Sequence, residues 1–220
     1  MESKDNPVAS YKILLSDGVG EIVEKKSRFI ATVRKCETEK NAVAFIEEMK
    51  KKNWNATHNC SAFVIGSRAE LTRCSDDGEP GGTAGRPMLE VLLNEGIRNV
   101  AVVVTRYFGG TLLGTGGLVR AYTQAVQAGL LQCEIGVMRY GCELEVIVDY
   151  MGIGKILYLL GQKGMEPTES TYLDMVSLKL MVPREMEEEL CKELVEVTNG
   201  KITITVVGKC YYVEKERGRP

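Results

Sequence analysis

The chain has one histidine, His58, and one tryptophan among its 220 residues. A lone imidazole excludes any scheme that needs two, such as the helical H-E-x-x-H zinc site. The seven cysteines (Cys36, Cys60, Cys74, Cys133, Cys142, Cys191, Cys210) are odd in number, scattered, and contain no C-x-x-C pair. Zinc ribbons and C-x-x-C redox sites are excluded, and the thiols read as reduced and mostly buried. No segment approaches the roughly 18 consecutive apolar residues of a membrane helix, and Met1 to Ser10 lacks the basic-then-apolar pattern of a secretory signal. The expectation is a soluble, cytoplasmic protein with no membrane partner. Charge of one sign is missing too: 28 basic against 30 acidic residues give a net charge of -2, which argues against nucleic-acid binding by global charge.

What is present is an ordinary globular composition, 44% hydrophobic and 26% charged, long enough for two modest cores. The chain divides into residues 1–133, with 17 basic and 15 acidic groups, and 134–220, with 11 and 15. The small excess permits a basic patch on the first part.

Tyr11 to Leu15 and Ser27 to Lys35 read as paired strands turned by Asp17, Gly18 and Gly20. From the N-cap candidate Thr38, the residues Ala42, Val43, Phe45, Ile46 and Met49 recur at helical spacing up to Lys50-Lys51-Lys52. Cys60 to Gly66 is a short strand, Pro87 opens a helix that Gly96 ends, and Val100 to Thr105 is apolar enough to be a central strand covered on both faces. A glycine loop and a helix from Leu118 to Leu131 follow. Beyond Gln132 the order is strand (Tyr140 to Val148), helix, two strands, helix, strand (Ile202 to Tyr212), the βαββαβ order of a ferredoxin-like plait. The tail Glu214 to Pro220 reads as frayed. The fold class is α+β.

Two clusters carry chemistry. In Ser75-Asp76-Asp77-Gly78-Glu79-Pro80-Gly81-Gly82-Thr83-Ala84-Gly85-Arg86-Pro87, Pro80 and Gly81 suit the centre of a type II turn. Asp76, Asp77 and Glu79 can serve Mg²⁺ or act as general acid and base. The alternative is a rigid loop whose acids cap amides and pair with arginines. In Thr105-Arg106-Tyr107-Phe108-Gly109-Gly110-Thr111-Leu112-Leu113-Gly114-Thr115-Gly116-Gly117-Leu118-Val119-Arg120, glycine amides, a helix N-terminus and Arg106 and Arg120 suit a phosphate. Close helix-strand packing and internal pairing of the arginines explain the same residues. Gly114 is followed by Thr115 instead of Lys-Ser/Thr, and Val119 stands where the third glycine of G-x-G-x-x-G belongs, so no nucleotide cofactor is implied. Tyr107 and Phe108 can stack bases or end a buried strand. His58 can act as a base toward Cys60 or a substrate, or be a hydrogen-bonded turn residue.

Lys26-Ser27-Arg28-Phe29-Ile30, His58-Asn59-Cys60, Asp76-Asp77-Gly78-Glu79-Pro80 with Gly82-Thr83-Ala84-Gly85, and Arg106-Tyr107-Phe108-Gly109-Gly110 ending in Gly114 together resemble the IMPACT/YigZ family over roughly residues 12–130. The resemblance implies a first domain folded like the second domain of a small-subunit ribosomal protein and elongation factor domain IV, with a ferredoxin-like domain after it, as in bacterial members. It supplies no catalytic residue set. Eukaryotic members act in translational control but carry a different additional N-terminal domain, so their kinase-related role is not transferred.

Three functional expectations follow. The first is a translation-associated protein that contacts RNA, the ribosome or another phosphate-bearing partner through Lys26, Arg28, Arg86, Arg106, Gly109, Gly110, Gly114, Gly116 and Arg120. The second is a metal-assisted hydrolase built on Asp76, Asp77 and Glu79. The third is a protein-interaction module without nucleic acid.

Overall fold

The computed structural model describes residues 7–214, so the tail beyond Glu214 lies outside the described residues. Residues 11–137 form one compact unit; residues 138–214 with 7–10 form another.

The first unit holds β1 (Ser10–Leu14), β2 (Gly18–Glu24), β3 (Ser27–Lys35), α1 (Glu39–Lys52), β4 (His58–Ile65), β5 (Leu71–Ser75), α2 (Gly85–Asn94), β6 (Val100–Tyr107) and α3 (Gly114–Leu130). One sheet runs β2-β3-β6-β4-β5, each neighbour antiparallel. β6 is the middle strand, and its unbroken apolar run is explained by cover on both faces. Alternation sends Val102 and Val104 toward Phe29, Ala62, Met88 and Tyr122, while Ala101 and Val103 pack with Phe45 and Met49 of α1. Each such large side chain contributes about 1.5–3 kcal/mol of burial. Thr38 caps α1 by accepting from the Asn41 amide at 3.2 Å, and the three lysines close its last turn.

The expected hairpin between 11–15 and 27–35 is not formed. β1 does not pair with β3; Lys12 instead exchanges backbone hydrogen bonds with Gly96 and Arg98. The partner of β3 is β2, the stretch assigned from its glycines to a turn, and their tight turn is Lys25-Lys26, both with positive φ (46° and 68°). A two-residue hairpin needs that conformation at both centres and normally recruits Asn and Gly, so the lysines gave no turn signal. α2 begins two residues before Pro87, which sits in the first turn where its missing amide costs nothing. α3 starts at Gly114, placing Gly114, Gly116 and Gly117 in its opening turn.

The second unit contains β7 (Ile135–Val148), which starts five residues before the expected Tyr140, then α4 (Ile153–Gln162), β8 (Glu169–Tyr172), β9 (Val176–Pro183), a 3-10 turn, α5 (Glu187–Val197) and β10 (Ile202–Glu214). The sheet here is five-stranded: β7, β9 and β8 are successive neighbours, β10 also pairs with β7, and β1, which starts at Ser10 at the boundary between the units, joins it beside β7. Leu144, Val146, Leu178 and Leu180 meet Ile156, Leu160, Leu190 and Leu194 of the helices in an apolar core.

Candidate functional site

The register of the first sheet builds the site. Arg106, near the end of β6, lies opposite Phe29 of β3 and His58 of β4, so three strand ends bring an arginine, an aromatic ring and the lone histidine together. The loop after β5 returns over this end. Asp77 and Gly78 both have positive φ (47° and 89°), and the Glu79 amide bonds the Asp76 carbonyl at 2.9 Å, as in a type I′ turn. The expected type II turn is displaced by one residue: Thr83 N donates to Pro80 O at 3.1 Å, and Gly82, not Gly81, takes positive φ (77°).

The three acids of that loop go to three places. The Asp76 carboxylate accepts from the amides of Gly82, Ala84 and Gly85 at 2.8–3.0 Å. It caps α2 from eight residues upstream, since the local cap, Ala84, has no side chain able to do so. Burial raises its pKa, but the three donors outweigh that and hold it below the usual carboxylate value. Asp77 accepts from the Asn59 amide at 2.7 Å and pairs with Lys50 at 2.9 Å. Glu79 turns inward, its side chain 2% exposed; Oε1 accepts from Arg106 Nη1 at 2.6 Å and from the Tyr122 hydroxyl at 2.7 Å. The Mg²⁺ arrangement suggested by three acids in four residues is therefore not assembled, and among the described residues no group of three or more His, Cys, Asp or Glu can hold a metal.

Arg106 is 5% exposed, its guanidinium 5.3 Å from the Phe29 ring centroid and 5.6 Å from that of Phe108. It is committed to Glu79 rather than displayed. Cys60 points away from any reactive role: it is fully buried beside the Asp76 carbonyl and the Tyr122 hydroxyl, and burial pushes its thiol up to about 12. Burial likewise raises Tyr122, so both stay protonated. His58 Nδ1 stands 2.8 Å from the Asp77 carbonyl, which can only accept. In the neutral ring Nδ1 carries the proton and Nε2 keeps its lone pair.

Of these groups, His58, Glu79 and Arg106 line an open pocket of about 420 Å³, completed by Thr57, Pro80, Phe108, Leu112, Leu113, Gly114, Thr115 and Leu118. The N-terminus of α3 therefore opens onto it, and no side chain caps that end. Arg120 is exposed and reaches back over this turn: its Nη1 would lie 3.8 Å from a Cβ on Gly116. Beside the pocket the glycine loop is fastened to the β2-β3 turn. A Cβ on Gly109 would fall 2.0 Å from the Lys26 carbonyl carbon, and the Gly109 amide donates to the Ser27 hydroxyl at 3.1 Å. Lys25 and Lys26 are both exposed there.

The remaining candidates are engaged nearer the surface. Arg28 forms a fork with Glu21 at 2.7 and 3.1 Å and lies 5.9 Å from the Tyr107 ring centroid. Arg86 pairs with Glu90 one turn along α2 at 3.0 Å. Phe108 is 47% exposed at the pocket edge. No helix among the described residues is long and apolar enough to cross a membrane.

Two domain-family models match the chain. Residues 25–130 match the Impact N-terminal domain and residues 146–201 a domain of unknown function, DUF1949. The chain is 41% identical over 206 residues to IMPACT family member YvyE of Bacillus subtilis, covering 94% of each, and 35% identical over 185 residues to IMPACT family member YigZ of Escherichia coli, covering 83% of this chain and 91% of that one. Protein IMPACT of Danio rerio is 36% identical over 98 residues, 42% of this chain and 30% of its own. A solved structure titled as that of a hypothetical protein is 33% identical, covers 92% of this chain and 99% of its own, and superposes with a TM-score of 0.58. With matching domain models in both halves and relatives that align over nearly its whole length, the chain belongs to the IMPACT family.

Proposed function

We propose that residues 11–137 bind the phosphate backbone of RNA, in a regulatory role connected with translation. The observation that carries this is the uncapped N-terminus of α3, with the exposed guanidinium of Arg120 lying over its first turn. Four orphan amides and the positive end of a helix dipole favour an anion there. Lys25 and Lys26 extend the cationic surface past the glycine loop. Among the described residues neither lysine nor Arg120 has a side-chain partner, so their charges are available to phosphates without first breaking an ion pair. Holding two lysines in the left-handed region costs about 1–2 kcal/mol each, a strain that fits a turn shaped for contact. IMPACT family membership supports a translation-related setting.

The test is co-sedimentation with ribosomes and with single-stranded RNA over a salt series. Wild type pellets at low salt, and each of Lys26→Ala and Arg120→Ala reduces the slope of log affinity against log salt by about one. Binding that does not respond to salt, or that survives the double change unaltered, overturns the proposal.

A further inference from the structure

The proposed RNA surface leaves unexplained why its pocket contains a buried carboxylate. Glu79 is almost wholly enclosed, yet only Oε1 is used; Oε2 has no hydrogen-bond partner and faces the pocket that the residue lines. His58 Nε2 stands 3.9 Å from it, too far for a hydrogen bond between them. With Nδ1–H directed at the Asp77 carbonyl, Nε2 is an acceptor in the neutral ring. Two acceptors thus lie side by side in a lining that also holds Thr57, Thr115 and Arg106, whose Nε–H is buried without a partner. An unmatched acceptor that lines a pocket selects a ligand that completes it.

The complement of two adjacent acceptors is a group with two hydrogens on one atom. A phosphate is disfavoured beside these two acceptors, although Arg106 offsets the Glu79 charge, and is better placed at the α3 N-terminus, whose Gly114 and Thr115 also line the pocket. The exposed ring of Phe108 and the side chains of Leu112 and Leu113 give the same pocket an apolar surface. A ligand with an anion at one end, a flat ring in the middle and an amino group at the other matches all three. The volume lies within the ~300–1,000 Å³ usual for small-ligand sites.

We infer that the pocket takes one splayed-out nucleotide of single-stranded RNA whose base carries an exocyclic amino group, donated to Glu79 Oε2 and His58 Nε2 while the ring stacks on Phe108. This rests on the RNA-binding reading and adds base selectivity to it. Stacking on an aromatic ring tolerates every base, so the preference comes from the acceptor pair. Uracil, which presents a carbonyl oxygen where cytosine presents the amino group, sets a third acceptor against the two and is disfavoured.

The experiment measures affinities of the intact protein for oligo(C) and oligo(U) of equal length by fluorescence anisotropy at one salt concentration. These ligands keep sugar and phosphate constant and change the base edge, and the comparison needs no variant to fold. Oligo(C) is expected to bind at least about tenfold more tightly. His58→Ala, checked for folding by thermal melting, brings the ratio toward one while preserving the salt dependence. If both oligomers bind equally, the base-reading pocket is wrong and the backbone-binding proposal stands. If neither binds, both fall. A ratio unchanged by His58→Ala with the variant folded removes His58 from the acceptor pair and overturns the inference as stated.

Discussion

Residues 11–137 bury Ser27, Asn59, Ser61, Glu79, Thr83, Thr105 and Arg106 in their interior, whereas among the described residues of 138–214 the buried polar side chain is Thr198, whose hydroxyl donates back to the Leu194 and Val195 carbonyls just before it. In the first unit the polar groups gather at one end of the sheet: Asn59 accepts from the Thr105 hydroxyl, Glu79 accepts from Arg106 and Tyr122, and the pocket opens beside them. Each unit has its own apolar core. A buried ion pair is weak evidence for stability, because desolvation consumes much of its attraction. The difference is that the first unit carries a connected polar cluster beside a pocket, whereas the interior of the second is built almost wholly by apolar packing.

Substituting within the pair tests this contrast most severely. Arg106→Met leaves the Glu79 carboxylate buried without its cation and should cost about 3–5 kcal/mol in urea unfolding. The double change Glu79→Leu, Arg106→Met should recover most of it while abolishing any oligo(C) preference. If the single change costs no more than a surface substitution, about 0.5 kcal/mol, the contrast between the interiors is wrong. In the other unit Leu178→Ala should lose about 3 kcal/mol by leaving a cavity, and Leu178→Met less than about 1.5 kcal/mol. Neither should alter RNA affinity at temperatures where the chain stays folded.

Asp76→Asn should cost about 1–2 kcal/mol, since the caps of α2 lose a charged acceptor. The folded pKa of Asp76 lies below its unfolded value, so its stabilisation is complete above about pH 4 and lost as pH falls through the folded value. The variant's stability should accordingly fall less steeply than wild type in acid, and parallel curves would deny Asp76 its capping role. The smallest effect separates thiols. Burial raises Cys36 and Cys142 to about 11 and Cys60 to about 12, whereas Cys74 and Cys210 are exposed. Brief alkylation of native protein near pH 8 should label Cys74 and Cys210 and spare those three; labelling of Cys60 would show that its strand end opens.

Much of the fold was legible because it is written in local periods. The apolar run of β6 announced a strand covered on both faces, Thr38 and the three lysines bounded α1, and alternation with helical spacing gave the strand and helix order of the second unit. The failures are equally local in cause. Lys25-Lys26 carries no turn signal, so β2 was read as a turn and its hairpin missed. β5, Leu71–Ser75, has exposed polar positions and no apolar run, and is held as a strand by pairing with β4.

For the site, the sequence by itself determined which residues are present and that they fall in two short clusters: acids with His58 nearby, and arginines with glycines. It left open whether Asp76, Asp77 and Glu79 converge on a metal or cap and pair, and whether Arg106 faces a phosphate or a carboxylate. The tertiary structure decided both, sending the three acids apart and burying Arg106 against Glu79. The reason is that these choices depend on sheet register. Arg106 meets His58 and Phe29 only because β4 and β3 pair with β6 at those residues, and Glu79 reaches Tyr122 across 43 positions of chain. Side-chain type and spacing are properties of neighbours in sequence, whereas direction, burial and partner belong to neighbours in space.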